Sequence, residues 1–261
     1  MTGRTEMDLD TAHLTLTLAE REDDRLGAER LRYEVFVEEL GGDGELVDHQ
    51  GRFERDVFDP EYDHLVLIDE RRDRAALDHV VGVYRLMPGD RATRFYSEDE
   101  YNLCVLRATG RRLLELGRSC VRDGYRNGVA LHMLWTGLAD YTRARDIEIL
   151  FGVASLHGTD IETLANPLSL LHHRHLAPEA LRVRAQDEVY QNMNLKPADQ
   201  IDRVAAMRAM PALIKSYLKL GGFVGDGAFV DHAFNTTDVC LVIDVAAMSP
   251  ALRARYSKGA A

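Results

Sequence analysis

Apolar and polar residues alternate from His13 to Ala19, HLTLTLA, with the period of a half-buried strand. The spacing then changes. Leu26, Leu31, Val35, Phe36 and Leu40 keep helical intervals, with Asp23 or Asp24 placed to cap the helix and Gly41-Gly42 to end it. Residues 43–63, DGELVDHQGRFERDVFDPEYD, hold no period; a connection of that length is functional or disordered, and Phe58 and Tyr62 among its carboxylates argue for order. Strands follow at His64–Asp69 and His79–Leu86, the second bounded by Asp78 and Pro88-Gly89. RFYSEDEYNL suits a short helix begun at Ser97.

The stretch LLELGRSCV (113–121) opens apolar and then places Glu115, Arg118 and Ser119 on its later half. Through the turn RDGYRNG it feeds a helix with Leu131, Leu134, Trp135, Leu138 and Tyr141 along one face. Such a strand–turn–helix joint gathers unpaired backbone N–H groups at one point, which suits an anion. IEILFGVAS (147–155) is nearly continuous in apolar residues, a strand covered on both faces. A helix opens at Thr159-Asp160, is interrupted at Asn166-Pro167 and continues through LSLLHHRHL. Leu181–Ala185 is a weak strand, 205–220 is helical after Pro211, and TDVCLVIDV (237–245) is the last strand. The order is strand, helix, three strands, helix, strand, helix, strand, with an insertion before the last. It predicts an α/β (α+β) class with a mixed central sheet flanked by helices. No repeat or linker divides the chain, so 1–261 reads as a single domain.

Composition narrows the function. Hydrophobic content of 46% and charged content of 29% are those of a globular chain, and no apolar run reaches bilayer length. The acidic start MTGRTEMDLD does not resemble a signal peptide. A net charge of −11 disfavours nucleic acid as partner. Cys104, Cys120 and Cys240 are too scattered for a disulfide framework or a zinc site and fit a reducing cytoplasm. His172, His173 and His175 lack the spacing of helical metal ligands, so no metal is expected, and His172 reads instead as lining a polar pocket or capping a helix.

Several motifs stand in a fixed order: Arg32 four residues before Phe36, Asp56 and Asp59 in RDVFD, Gly82 and Arg85 in GVYR, Glu115 and Arg118 in ELGR. This set resembles the signature of acyl-homoserine-lactone synthases. Over a longer span, GRSCV, FGVAS, LSLLHH, LIKSYLKLG and above all DHAFNTTDV resemble the hemolysin-like ornithine N-acyltransferases of ornithine-lipid synthesis, a branch of the GCN5-related N-acetyltransferase superfamily. The resemblance runs from about residue 27 to about 250 and implies that superfamily's fold, with a family-specific insertion at about 186–236. It implies an enzyme moving a 3-hydroxyacyl chain from acyl carrier protein to the α-amine of L-ornithine to give lyso-ornithine lipid. The donor would then be 3-hydroxyacyl-phosphopantetheine on its carrier, with no permanently bound cofactor. Glutamine, glycine or a homoserine-type acceptor is the alternative. Relatives using acetyl-CoA carry a glycine-rich phosphate loop; here the matching stretch, Val121 and then Arg126, Asn127, Gly128 and Val129, is shorter and poorer in glycine, which favours the single phosphate of a carrier-bound arm.

The residue types suit that chemistry. An amino acid arrives as an ammonium ion, so a base must take a proton before nitrogen attacks the thioester. Glu115 is the candidate base, or else the partner of Arg118 in a salt bridge. Arg118, Arg85 or Arg32 would hold the amino acid's carboxylate. Asp56 and Asp59 would meet the second ammonium of ornithine, or serve with Arg32 as scaffold. Ser119 stands beside Arg118. Ser155 and His157 would polarise the thioester carbonyl or donate to the leaving thiolate. Asp231, His232, Asn235, Thr236 and Asp238, bunched before the last strand, form a site wall or a turn network. Arg122, Arg126, Arg143 and Arg145 would make a basic rim for an acidic carrier protein, and apolar residues of 209–220 beside Lys215 and Lys219 would rest on the inner face of the cytoplasmic membrane.

Overall fold

A computed structural model of the chain describes residues 11–248. The alternation in HLTLTLA becomes β1 (Leu14–Leu18). Next, α1 (Glu22–Arg32) runs directly into a π-helical segment over Tyr33–Glu39. Asp23 and Asp24 do not cap α1: the N-cap is Arg21, and both acids stand in the first turn, where negative charge suits the helix dipole. Then come β2 (Asp63–Asp69), β3 (Val80–Pro88), a 3-10 turn at Tyr96–Asp99 in place of the expected helix, β4 (Tyr101–Asn102) and α2 (Cys104–Ala108). The middle of the chain supplies β5 (Leu113–Val121), α3 (Val129–Ala144), β6 (Ile149–His157) and α4 (Ala165–His175). Pro167 does not interrupt α4: it lies in the first turn, where a missing N–H costs little. The last third forms β7 (Arg184–Ala185), α5 (Arg203–Ala209), α6 (Ala212–Lys219), β8 (Phe223–Val224), β9 (Phe229–Asp231) and β10 (Thr236–Asp244). Met210, extended because Pro211 follows it, separates α5 from α6.

The main sheet runs β1-β2-β3-β5-β6-β10-β8, with β9 also on β10; β4 and β7 pair apart from it. Every neighbouring pair in it is antiparallel except β5 and β6, so the fold is a mixed α/β layout around a mostly antiparallel sheet. Within the expected insertion at 186–236, β8 and β9 join the main sheet through β10.

Successive strand residues face opposite sides, and each side builds its own core. Leu114 and Leu116 of β5, Leu150 of β6 and Leu241 and Ile243 of β10 pack with Leu134, Trp135 and Leu138 of α3 and Ile214 and Tyr217 of α6. On the other side Leu113, Phe151, Cys240 and Val242 pack with Phe95, Tyr101 and Leu103. The apolar residues expected to meet a membrane are thereby accounted for: Met210, Ile214, Tyr217 and Leu220 point inward and are buried. The exposed apolar side chains nearby are Val204 and Met207 of α5.

Two details of the central strands make the site. The parallel pairing of β5 and β6 covers only Leu113↔Ile149, Leu114↔Leu150 and Glu115↔Phe151, after which the strands part. At the parting point a β-carbon on Gly152 would strike the Leu116 carbonyl oxygen, so only glycine lets the backbones approach there. Beyond it β5 carries a bulge opposite β3, between Gly117↔Arg85 and Cys120↔Val83, with Arg118 in the left-handed region at φ 49°.

Candidate active site

The gap between the parted strands holds a cavity of about 250 Å³. Strand alternation lets it communicate with both faces of the sheet. On one face its lining includes Tyr96, Arg118, Ser155 and Asp238; on the other it is mostly apolar, with Leu116, Leu150, Leu213, Leu241 and Ile243 and the phenols of Tyr84 and Tyr217. The two phenolic oxygens lie 2.9 Å apart, and Ser119 bonds to Tyr84.

Asp238 is the titratable carboxylate on this lining. It faces Ser155 across the β10–β6 ladder, and its buried Oδ1 has no hydrogen-bond partner. Burial pushes its carboxyl up to about 6, with a contribution from the nearby Asp231, against the neighbouring hydroxyls of Ser155 and Thr236 and the charge of Arg118. Glu100, also buried, has an unpartnered Oε2; burial and the charges of Asp238 and Asp231 hold it well above the usual carboxylate range.

Glu115 does not occupy the position expected of a base. It is 1% exposed and turned to the face away from the apolar channel. Its carboxylate accepts from the Tyr62 hydroxyl, from the Tyr96 N–H at 2.9 Å and from the Ser97 N–H at 2.7 Å. It therefore caps the 3-10 turn at Tyr96–Asp99 and ties the 43–63 connection to β5. Burial and that carboxylate raise the Tyr62 phenol well above its ordinary range.

The other signature residues form an ion network. Arg32 pairs with Glu54 and Asp59, Arg85 with Asp56 at 2.6 Å and Asp59 at 3.1 Å, and Arg118 with Glu54 at 3.1 Å and Asp56 at 3.0 Å. Burial opposes ionisation of Glu54, but Arg32 and Arg118 outweigh it and bring Glu54 down to about 2. His64, buried beside Arg32 and Arg85, is depressed to about 4 and is neutral. Three guanidiniums and three carboxylates pair with one another, while Nε and Nη2 of Arg85 are buried without a hydrogen-bond partner and its guanidinium lies over the Tyr62 ring; Arg32, Asp56, Asp59 and Arg85 brace the long connection and none lines the cavity. Arg118 alone of the set reaches it, with its guanidinium 4.6 Å from the Tyr96 ring centre and 5.6 Å from that of Phe234.

Ser119 and Ser155 do line the cavity, but His172 and Asp231 do not. His172 lies on α4 against His173, and Asp231 caps a turn through the N–H groups of Ala233 and Phe234. His173 is bonded to the Lys196 carbonyl. Among the described residues, Asp23, Asp24 and His79 have the spacing of a metal site, but Arg74 occupies it, 2.7 Å from Asp24. Val121 ends β5, and Gly128, at φ 92°, precedes the first turn of α3, where the Asn127 side chain accepts from the Val129 N–H. Each arginine of the expected basic rim meets an acid: Arg122 Glu34, Arg126 Glu39, Arg143 Asp140 and Arg145 Asp63.

Comparison with known proteins shows the family. Residues 31–136 match the family described as Acetyltransferase (GNAT) domain. An L-ornithine N(alpha)-acyltransferase of Rhodobacter capsulatus is 59% identical over 234 residues, 88% of this chain and 90% of that protein. The chain belongs to the L-ornithine N(alpha)-acyltransferase family. A second member, from Brucella abortus, is 40% identical over 85% of this chain and 81% of its own length. The fold of this acyltransferase family member matches that of FeeM, an N-acyl amino acid synthase from uncultured soil microbes, with a TM-score of 0.51 at 12% identity over 90% of this chain and 93% of that one. It also matches BjaI, a CoA-dependent acyl-homoserine lactone synthase, with a TM-score of 0.50 at 16% identity over 89% and 83%.

The sequence alone missed Tyr84, Tyr96, Tyr217 and Glu54, and gave Asp238 no separate role. For Asp238 a signal was available: an acid inside the otherwise buried run TTDVCLVID. For the tyrosines there was none, since aromatic residues in strands and helices are ordinarily core.

Proposed function

We propose that this chain is an N-acyltransferase moving a 3-hydroxyacyl chain from acyl carrier protein to the α-amine of L-ornithine, giving lyso-ornithine lipid. Family membership supports the acceptor. The observation that carries the mechanism is the cavity through the sheet, charged on one face and apolar on the other.

In this reading the amino acid enters on the charged face with its carboxylate toward Arg118. Asp238, with a pKa near the working range and one unengaged oxygen, takes a proton from the α-ammonium. The freed nitrogen lone pair attacks the thioester carbonyl carbon. The tetrahedral adduct then collapses, the C–S bond breaks, and the electron pair leaves on sulfur. Ser155, opposite Asp238, is placed to relay the proton that the adduct nitrogen loses to the thiolate. A second ammonium brought beside Glu100 would favour its ionised form over the protonated one that burial and the charges of Asp238 and Asp231 maintain, whereas Asp56 and Asp59 are already paired.

The donor arm lies along the edges of β5 and β6 left without strand partners after Glu115 and Phe151. Its phosphate is seated by Val121, Arg126, Asn127, Gly128 and Val129 at the start of α3. The acyl chain runs to the apolar face, where the hydroxyls of Tyr84 and Tyr217 favour a chain with its own hydroxyl near the thioester. No helix among the described residues is long and apolar enough to cross a membrane. The lipid product would be delivered at the membrane surface, with Val204 and Met207 of α5, between Arg203 and Arg208, as the contact.

The test is release of free thiol from 3-hydroxyacyl carrier protein against ornithine, glutamine, glycine and homoserine lactone. Release with ornithine and formation of its N-acyl product is expected; release with another acceptor alone, or from acyl-CoA alone, overturns the reading.

A further inference from the structure

A second apolar cavity, of about 290 Å³, lies beyond the reacting one. It is lined by Trp135, Leu138, Ala139 and Thr142 of α3, Leu220 after α6, and Met248, among others. Leu150, Tyr217 and Ile243 belong to both linings, so one layer of side chains separates the two spaces. The Tyr217 ring in that layer stacks on Trp135 at 5.4 Å between centres. Register gives the path its direction: Asp238 pairs with Ser155 at the polar end and Ile243 with Leu150 at the dividing wall. The five residue steps from one pair to the other span roughly 16 Å. The first cavity must also hold an amino acid and the thioester, which leaves room for only the near part of a long chain.

We propose that the second cavity receives the far end of the donor's acyl chain, and that the α3 wall opposite Tyr217 sets the preferred chain length. The inference rests on the acyl-transfer reading and adds the residues that measure the chain. The occupant follows from the chemistry of the two cavities: the space is mainly apolar, and it adjoins the apolar face of the reacting cavity, where a hydrocarbon tail has to go.

Trp135 is the only tryptophan in the chain and lines the second cavity alone, so the unaltered protein reports on it. The experiment uses hexadecanoyl-pantetheine thioethers brominated either at the terminal carbon or beside the carbonyl. Tryptophan quenching several-fold stronger with the terminal bromine is expected; equal quenching, none, or the reverse order overturns the proposal. Ala139→Phe, which fills the space from α3, is expected to lower kcat/KM for a hexadecanoyl-length donor about tenfold or more while leaving an octanoyl-length donor within about twofold. An equal loss on both donors overturns chain measurement. If the unaltered protein transfers neither chain to any amino acid, the acyl-transfer reading itself fails; if it transfers both and the quenching order is wrong, only this inference fails.

Discussion

Gly152 of β6 and Leu116 of β5 approach so closely that a β-carbon on Gly152 would overlap the Leu116 carbonyl oxygen. This contact lies where the parallel pairing of β5 and β6 ends and the reacting cavity begins. Backbone cannot yield as a flexible side chain can. Gly152→Ala is therefore expected to push the strands apart, lowering stability by about 1–3 kcal/mol and acyl transfer with it. A denaturant midpoint and a thiol-release rate check both. Wild-type values for each would show that the approach is not needed.

In the proposed mechanism Asp238, and not Glu115, is the base. Asp238→Asn is expected to cost about 10²-fold or more in turnover and to remove the acid limb near pH 6 from the kcat/KM profile. An unchanged limb would assign it to another group.

The stability effect of the same substitution has a definite sign. The folded-state pKa of Asp238, about 6, lies above the ordinary value of 3.8, so the folded protein holds the proton more tightly. Its contribution is fully present below about pH 3.8 and is lost as pH rises through 6. Asp238→Asn should therefore be more stable than the parent at pH 8, by up to about 3 kcal/mol, with the difference shrinking below pH 6. Paired chemical denaturation at pH 8 and pH 5 measures it.

Glu115→Gln should act on stability and leave the pH limb alone. An amide has one acceptor oxygen where the carboxylate serves three donors, and its NH2 would face backbone N–H groups. A loss of about 1–3 kcal/mol, with an acid limb like that of the parent, is expected. A large fall in turnover at unchanged stability would restore Glu115 as the base.

Cutting the ion network is expected to cost more than a surface pair would. Arg85→Met leaves Asp59 to Arg32 alone and Asp56 to Arg118 alone beside a buried site, a loss of about 3–5 kcal/mol. Acid should mimic part of this. Glu54, depressed to about 2 in the fold, contributes stability above the ordinary value of 4.5 that is lost as pH falls toward 2. Melting curves of parent and variant between pH 7 and pH 3 should converge as the carboxylates protonate.

The order of strands and helices could be read from periodicity alone, because apolar spacing reports which side of each element is covered. The patches on β5 and ahead of β10 were likewise marked by polar residues set into apolar runs. The family signature also singled out the charged residues that matter, from Arg32 to Arg118. Only the tertiary structure decided what each charge does. A buried carboxylate serves as an anchor or a scaffold, or in the proposed mechanism as the base, according to the groups around it, and those come from distant parts of the chain: Tyr62 and Ser97 for Glu115, Arg85 for Asp56 and Asp59, Ser155 opposite Asp238. Local sequence carries the period of an element, but the pairing of buried charges is set where elements meet.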